Sequence, residues 1–92
     1  MNLIHEPHKI YSLDDKGKLL AEITFPFNSQ GIYKINHTYV HPSLRKQGIA
    51  GQLMRAAIND IRKTGIKAHA VCPYAIYWFK KHPEETDILA GP

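Results

Sequence analysis

Residues 38–53 read Thr38-Tyr39-Val40-His41-Pro42-Ser43-Leu44-Arg45-Lys46-Gln47-Gly48-Ile49-Ala50-Gly51-Gln52-Leu53. The first of them belong to a segment, Ile32–Val40, that is rich in β-branched and aromatic residues and is therefore predicted to be a strand. Pro42 ends that strand, because proline cannot continue a hydrogen-bonded ladder. An amphipathic helix is predicted from about Ala50, so the chain passes here from a strand through a glycine-containing loop into a helix.

The periodicity of the helix is clear. Its apolar residues recur at spacings of three and one, at Ala50, Leu53, Met54, Ala57, Ile58 and Ile61. Polar residues fill the opposite side. Arg62 and Lys63 place positive charge in the last turn, where the helix dipole is negative, and Gly65 is expected to end the helix.

Three strands are predicted before this helix. Lys9–Leu13 is the first, followed by a turn at Asp14–Gly17. The second, Leu19–Phe27, alternates, with one face formed by Leu19, Ala21, Ile23, Phe25 and Phe27. A hairpin turn at Asn28–Gly31 leads to the third, Ile32–Val40. This strand has apolar residues on both faces, so we expect it to be central in the sheet or bulged.

Two further elements are predicted after the helix. Residues 66–72 are short and stop at a proline, which suits a strand. A second helix, ended before Pro83, has apolar residues on one face, Ala75, Trp78 and Phe79. Strands followed by helix, strand and helix are typical of the α/β (α+β) class, in which two helices cover a small sheet.

The composition is that of an ordinary globular chain. Hydrophobic residues make up 43% and charged residues 22% of the 92 residues, which excludes the disordered and coiled-coil classes. The length suits a single domain, 1–92, in which residues 1–8 and 90–92 are expected to lie loosely on the surface. No apolar run approaches the roughly 18–20 residues needed to span a membrane, so no membrane partner is expected.

The cysteine count and the net charge bear on the cellular compartment and on the kind of partner. The lone Cys72 excludes an intrachain disulfide and fits a reducing compartment, so a cytoplasmic location is expected. Twelve Lys and Arg against eight Asp and Glu give a net charge of +4. That charge favours an anionic partner without choosing between nucleic acid, a membrane surface and a phosphorylated cofactor. His69 with Cys72, and His37 with His41, are metal-ligand types, but no second cysteine pair and no His-Glu-x-x-His helix accompanies them, so no metal site is predicted.

The loop between strand and helix has the chemistry of a phosphate site. The first amides of a helix have no partner within the helix, and the helix dipole adds partial positive charge there. Gly48 lets the backbone approach a ligand that a Cβ would push away, while Arg45 and Lys46 supply full charges. The loop sequence therefore predicts a pyrophosphate-binding site.

Residues 38–53 resemble the acetyl-CoA signature of the GNAT superfamily of N-acetyltransferases. In that signature a strand ending in Val-x-Pro leads into (Arg/Gln)-x-x-Gly-x-(Gly/Ala) and an apolar helix, and the matching residues here are Val40, Pro42, Arg45, Gly48 and Ala50. Weaker similarity extends over about residues 9–89. The length, the segment His37–Val40, and Cys72 followed by Tyr74 are similar to a minimal subgroup of small predicted acetyltransferases. The resemblance implies a small, mixed, mainly antiparallel sheet covered by two helices.

The resemblance also implies acetyl-CoA as cofactor, with CoA as product. Its pyrophosphate would bind the backbone of the loop residues, Arg45, Lys46, Gln47, Gly48, Ile49, Ala50 and Gly51. Its pantetheine arm would pair with the strand ending at Tyr39 and Val40, in a gap that opens against the strand ending at Cys72. Tyr74 and Phe79 would complete the cofactor site. The first helices of larger members, which commonly shape the acceptor site, have no counterpart here, so the primary amine that accepts the acetyl group stays unidentified.

One departure from the family affects the mechanism. Many members follow the later strand with Asn, then Ala three residues on and Tyr seven residues on, and that Tyr protonates the leaving thiolate. Counting from Cys72, Ala75 is in place, but Cys72 stands at the Asn position and Phe79 at the Tyr position. Because a phenyl ring donates no proton, a general acid would have to be Cys72, Tyr74, Tyr77 or water.

His37 is the predicted general base. An amine with a pKa near 10.4 is only about 0.04% neutral at pH 7, a handicap of roughly 4–5 kcal/mol, so a base or a desolvating site is needed. An imidazole suits this task, and His37 lies three residues before Val40. The alternative is that His37 packs against Tyr33 and Tyr39; His41 has a smaller claim. The amine would attack the thioester directly, with a backbone amide near Val40 holding the developing charge.

Other interpretations remain open from the sequence. Cys72 could be a nucleophile, a proton relay beside the thioester, or a buried residue without a chemical role. Tyr74, Tyr77, Trp78 and Phe79 beside two lysines suit either a sealed core or base stacking. The chain could therefore also be a CoA-binding module with little or no turnover or, less favoured, a small basic nucleic-acid-binding domain. The sequence does not address the oligomeric state.

Overall fold

The computed structural model describes residues 1–91 as six strands and two α-helices. In chain order these are β1 Ile4–Glu6, β2 Lys9–Leu13, β3 Leu19–Thr24, β4 Tyr33–Ile35, β5 His37–Val40, α1 Ile49–Thr64, β6 Ala68–Ala70 and α2 Pro73–Lys81. Single 3-10 turns follow β5 and α2, at Pro42–Leu44 and Pro83–Ile88. The predicted α/β (α+β) class is confirmed, and both helices fall where apolar periodicity predicted them.

The strands form two sheets. The larger is antiparallel with the order β1-β2-β3-β5, and the smaller pairs β4 with β6 in parallel. In the larger sheet Ala21 of β3 lies opposite Val40 of β5, and Thr24 lies opposite His37. Taken together, the two sheets contain three antiparallel strand pairs and one parallel pair, so the strand pairing is mixed and mainly antiparallel, as the resemblance implied.

The strand predicted over Ile32–Val40 is broken at Asn36. Before the break, β4 pairs with β6; after it, β5 pairs with β3. Asn36 itself is held by β3, because its N–H donates to the Thr24 carbonyl at 3.3 Å and its side-chain carbonyl accepts from the Thr24 hydroxyl at 2.6 Å. The expectation of one central strand is therefore wrong, because β5 is the edge strand of the larger sheet and β4 belongs to the smaller one; the expected irregularity is a break at Asn36.

The core lies between one face of the larger sheet and α1. Alternate residues of the central strands, Ile10, Ala21 and Ile23, are fully buried, and they face a helix surface formed by Leu53, Met54, Ala57, Ile58 and Ile61. Full burial of one large aliphatic side chain contributes about 1.5–3 kcal/mol. Ten further buried apolar or aromatic residues extend the same cluster to α2. The period-two and period-3.6 patterns of the sequence thus meet in one core.

The chain ends are more ordered than expected. Residues 1–8 were expected to lie loosely, but Ile4–Glu6 pair with β2 as an exposed edge strand. At the other end, the Ala90 N–H donates to the Ala68 carbonyl at 2.8 Å and covers part of the β6 edge. Both corrections have one cause: unpaired backbone groups along a sheet edge are satisfied by adding chain to it. Of the segment 90–92, Pro92 lies outside the described residues.

The predicted strand Leu19–Phe27 is also shorter, since β3 ends at Thr24. Beyond it, Pro26 offers no N–H to the ladder. Phe27 returns to form an isolated bridge with Tyr33 on the far side of the Asn28–Gly31 turn. The hairpin is therefore present, but its regular ladder runs between β3 and β5.

An arginine clasp fixes the segment after α2 to the core. The Arg62 guanidinium donates to Asp87 at 3.1 and 2.7 Å and to Glu85 at 2.8 Å. These bonds lower the pKa of Asp87 from its usual range. From the sequence, Arg62 was interpreted as a solvent-exposed residue whose charge complements the helix dipole; it additionally ties Pro83–Ile88 to α1.

No helix within residues 1–91 combines the length and hydropathy that crossing a membrane requires.

Gly65→Ala is expected to lower the free energy of unfolding by about 1 kcal/mol. Gly65 ends α1 with φ at 74°, and no atom lies within 4 Å of an added Cβ, so the loss is conformational. Thermal unfolding should show a Tm lower by about 4–8 °C for a domain of this size. Gly65→Asn is the control, because asparagine tolerates the left-handed conformation better; equal losses for both variants would contradict the explanation.

Candidate active site

A gap opens where β4 gives way to β5. The Ile35 carbonyl accepts hydrogen bonds from both the Val71 and the Cys72 N–H, each at 3.0 Å. These are the last bonds of the parallel pair, because the next residues on one side belong to β5, which turns away to pair with β3. The two segments of the chain diverge from that point, so one edge of β5 is left without a strand partner.

The hydrogen bonds of β5 identify which groups face this gap. His41 N–H donates to the Leu20 carbonyl, so alternate residues of β5, Tyr39 and His37, direct their backbone groups toward β3. The backbone groups of Thr38 and Val40 consequently point toward the gap. The Val40 carbonyl already accepts from Arg45 Nε at 3.2 Å, which leaves its N–H on the open edge.

A pocket of about 190 Å³, called the loop pocket below, lies at the start of α1, beside the end of β5. Two residues of its loop adopt left-handed conformations, Lys46 at φ 67° and Gly48 at φ 77°. Gly48 begins the helix without a side-chain cap, and the first turn holds no acidic residue. The N–H groups of Ile49, Ala50 and Gly51 therefore precede the first intrahelical bond, from Gln52 N–H to the Gly48 carbonyl at 3.1 Å.

Most of the predicted loop residues line this pocket. Its walls are formed by Val40, Leu44, Arg45, Lys46, Gly48, Ile49, Ala50, Gly51 and Tyr74. Gln47 is exposed beside it and does not contribute to the wall. Leu44 was not singled out from the sequence, although its position between the proline and Arg45 could have suggested it.

A larger groove of about 400 Å³ continues from the pocket between the two helices. It shares Gly48, Gly51 and Tyr74 with the pocket and extends to Gln52, Arg55, Tyr77, Trp78, Lys81 and His82. Arg55 lies over the Trp78 ring at 5.5 Å, and Lys81 lies 5.8 Å from the Tyr77 ring centre. Partial burial raises the pKa of Tyr74 above its usual range. Of the aromatic cluster, Trp78 and Phe79 are therefore buried in the core, whereas Tyr74 and Tyr77 present their rings to a basic groove.

Cys72 lies at the apex of the gap and begins α2. Its sulfur accepts from the Ala75 N–H at 3.4 Å, and the residue is buried. The sulfur thus takes the place of a side-chain oxygen as the N-cap of α2. Phe79 is also buried and packs edge-on against Trp78 at 5.3 Å, away from the loop pocket.

His37 lies on the face of the larger sheet that is turned away from α1. Its Nε2 is 3.7 Å from a carboxylate oxygen of Glu22, and its side chain is 52% exposed. Tyr33 packs instead against Phe25 and Phe27, with ring centres 5.8 and 4.5 Å apart. His37 therefore does not pack into the core beside Tyr33, and its ring is accessible.

Two other predicted residues have structural duties. His41 Nδ1 accepts from the Ser43 N–H at 3.1 Å and caps the 3-10 turn after β5. The backbone of Tyr39 pairs with β3, so the backbone groups on the open edge of β5 are those of Thr38 and Val40. Glu22 lies beside His37 and was not singled out from the sequence. Its place on the polar face of β3 was visible, but its proximity to His37 depends on the register between strands.

Comparison with known proteins decides the family. Residues 10–88 match the family model of the GCN5-related N-acetyl-transferase. The chain belongs to this family. The resemblance of its strand, loop and helix to the GNAT signature is thereby confirmed.

Two solved proteins share the fold, and a curated relative matches in sequence. A GCN5-like protein from Staphylococcus aureus, solved by NMR, superimposes with a TM-score of 0.79 at 30% identity, over 99% of this chain and 89% of that one. The ribosomal-protein-alanine N-acetyltransferase from Brucella melitensis shares the fold, with a TM-score of 0.55 at 19% identity over 91% of this chain and 64% of its own. Protein NATD1 of Mus musculus is 30% identical over 63 residues, which are 68% of this chain and 57% of that protein. The chain thus matches little more than half the length of this curated relative.

Cys72→Ala is expected to lower the free energy of unfolding by about 1 kcal/mol, because α2 loses the acceptor for its Ala75 N–H. Cys72→Ser keeps an acceptor at that position and should retain more stability than the alanine variant. Denaturant unfolding of the two variants beside the wild type measures the difference. A serine variant no more stable than the alanine variant would show that the cap contributes nothing.

Proposed function

We propose that the protein transfers the acetyl group of acetyl-CoA to a primary amine by direct attack. The observation that carries this proposal is the loop pocket at the start of α1 opening beside the gap between β5 and the chain at Cys72. An extended thioester carrier with a charged, phosphorylated end has the two features that this arrangement would recognise. The lone cysteine is consistent with a cytosolic setting.

The residues present fit such a carrier. Three unpaired amides and the charges of Arg45 and Lys46 suit its pyrophosphate. The open edge of β5 offers a strand-like row of donors and acceptors to the amides of the pantetheine arm. The groove between the helices, with Arg55 and Lys81, suits its nucleotide end. When bound, acetyl-CoA supplies an acetyl group activated as a thioester.

The chain supplies a base and an electrostatic donor. His37 begins β5 immediately after the break, and its accessible ring suits removal of a proton from an incoming ammonium. The Val40 N–H on the open edge would donate to the acetyl oxygen as negative charge develops there. Attack forms the C–N bond and breaks the C–S bond, and the second amine proton ends on the CoA sulfur.

The thiol of Cys72 is the proposed proton source for that sulfur. Because Phe79 cannot donate a proton, the candidates are Cys72, Tyr74, Tyr77 and water. The two tyrosines line the basic groove between the helices, whereas Cys72 lies where the gap begins. Its thiol would give its proton to the leaving sulfur and recover one from the amine nitrogen. Water would do the same less efficiently, so this role accelerates the reaction without being indispensable.

CoA binding is expected to depend on open space at Gly48. Acetyl-CoA and CoA should raise the Tm and shift the amide resonances of Gly48, Ala50 and Val40. Gly48→Leu should weaken CoA binding at least 10-fold, because its side chain would stand in the loop pocket. The matched control is Gly17→Leu. Gly17 has φ at 83° and, like Gly48, nothing within 4 Å of an added Cβ, but it lies in a remote turn.

The control separates binding from backbone strain. Both leucine variants should lose similar stability, and only Gly48→Leu should lose CoA binding. If CoA neither raises the Tm nor perturbs the loop amides of the wild type, the proposed function is wrong. Binding without transfer to any member of a broad amine panel would instead favour a CoA-binding module.

Cys72 separates direct attack from a double displacement. Under direct attack, Cys72→Ala should keep measurable transfer, lowered by about 100-fold where a proton donor is lost, and Cys72→Ser should recover part of it. Intact mass of the wild type mixed with acetyl-CoA should show no added acetyl group. A covalent acetyl adduct on Cys72, lost in the alanine variant together with all activity, would establish the thiol as nucleophile.

A further inference from the structure

The face of the larger sheet opposite α1 carries an ordered row of side chains. Ile4, Tyr11, Glu22 and Tyr39 lie directly opposite one another on four neighbouring strands. They share a face because Ala21 and Ile23, the neighbours of Glu22, are the residues buried against α1. Ile4 at the edge is 41% exposed, so this face is in contact with solvent.

The β1–β2 end of the row satisfies its own polar groups. The Tyr11 hydroxyl donates to Glu6 at 2.8 Å. The Lys9 ammonium lies 4.9 Å from the Tyr11 ring centre and 4.0 Å from Glu6. One ammonium is therefore already held here by a carboxylate and a tyrosine ring, both supplied by neighbouring residues of the chain.

Like Asp60, which is 27% exposed beside His5 but lies outside the row, Glu22 is a partly buried carboxylate without a permanent cation in the described part of the chain. Its side chain is only 21% exposed, yet within residues 1–91 the one basic group within 4 Å is His37. Glu85, which is 22% exposed, has the Arg62 guanidinium at 2.8 Å. A permanent cation that reached Glu22 would therefore find a carboxylate that no Lys or Arg among residues 1–91 occupies.

Tyr39 is the second incomplete member of the row. It lies opposite Glu22 on β5, so their Cβ atoms are neighbours across the ladder. Within the part of the chain that the structure describes, no aromatic ring stacks on Tyr39 and no cation lies over it. The β5 end of the row thus holds a carboxylate and a ring in the combination that holds Lys9 at the other end, but without the ammonium.

We propose that this end of the row is the acceptor site, and that it binds a primary alkylammonium between the Glu22 carboxylate and the Tyr39 ring, beside His37. This deepens the proposed function and rests on it. Charge complementarity with Glu22 and the attraction of a cation to the Tyr39 ring select the ammonium. The site lies on the opposite face of the sheet from α1, so it leaves the loop pocket and the helix groove free.

The proton balance is simple. The bound ammonium breaks one N–H bond and gives that proton to His37 Nε2, and the electron pair stays on the nitrogen as the attacking lone pair. Glu22 stabilises the positive charge before the transfer, on the ammonium, and after it, on the imidazolium. His37 then releases the proton to solvent. No redox partner or metal is required.

The test is a titration of the full chain with n-butylamine at pH 8, where alkylamines are protonated. NMR should show saturable shifts at Glu22, His37 and Tyr39. Glu22→Gln keeps the shape and removes the charge, and it should weaken butylammonium binding at least 10-fold. Glu84→Gln makes the same charge change at an exposed position and should leave binding unchanged.

The ring is tested by a matched pair. Tyr39→Phe keeps the aromatic face and should retain binding, whereas Tyr39→Leu should weaken it several-fold. 1-Butanol, which has the same chain without the charge, should cause no saturable shifts. Nα-acetyl-lysine amide and a short peptide with a free N-terminus then distinguish a side-chain amine from an α-amine as the source of the ammonium.

The two proposals fail in different ways. Unchanged butylammonium binding in Glu22→Gln, or saturable shifts elsewhere on the surface, would overturn the acceptor site. The proposed function survives that result if CoA still perturbs the amides of Gly48 and Ala50. Failure of CoA to perturb those amides would refute the proposed function, whatever the amine titration shows.

Discussion

The Ile35 carbonyl is the point on which the rest of the structure depends. It accepts from two successive amides, Val71 and Cys72, and so ends the pairing of β4 with β6. The following residue, Asn36, is already bonded to Thr24 on the other side. One continuous segment therefore serves two different partners, and a gap between them is unavoidable. A regular strand over the same residues would have paired on both sides along its whole length and left no open edge.

Several positive side chains on one side of that gap have no carboxylate partner. Lys9 and Arg62 have carboxylate partners within 4.0 Å. By contrast, the cations beside the loop pocket and the helix groove, Arg45, Lys46, Arg55 and Lys81, have no carboxylate within that distance among residues 1–91. The helix dipole of α1 adds to their field at the same place. Four cations without a carboxylate partner thus lie where an anionic cofactor would bind, while Glu22, whose one basic neighbour within 4 Å is His37, lies on the other face of the sheet.

Features set by local periodicity could be predicted from the sequence. The apolar spacing of α1, its glycine end at Gly65, β2 and the turn after it depend on residues close together in the chain, and each appears where it was expected. The loop from Arg45 to Gly51 was recognised because strand, proline, glycine and helix occur in fixed order. The edge strand Ile4–Glu6 was missed, since its stability comes from pairing with β2 and not from a pattern of its own.

The same distinction explains what was missed at the site. Whether Tyr39 or Thr38 turns its backbone to the gap depends on the register with β3, and a shift of one residue would exchange them. The proximity of Glu22 to His37 depends on that register as well. Register is fixed by the Asn28–Gly31 turn acting together with the break at Asn36, and no single stretch of sequence contains both conditions.

The placement of His37 and Cys72 favours the proposed direct attack over an acetyl-enzyme. His37 and Cys72 stand on either side of the break, His37 on the exposed face of the sheet and Cys72 in the buried start of α2. An acetylated sulfur would no longer be well suited to accept from the Ala75 N–H, so forming the adduct would cost the cap of α2. An amine held beside Glu22 and a thioester held in the gap could be bound at the same time, because different faces and edges of β5 serve them. Simultaneous binding makes a covalent intermediate unnecessary, and it predicts that both substrates are present before either product leaves.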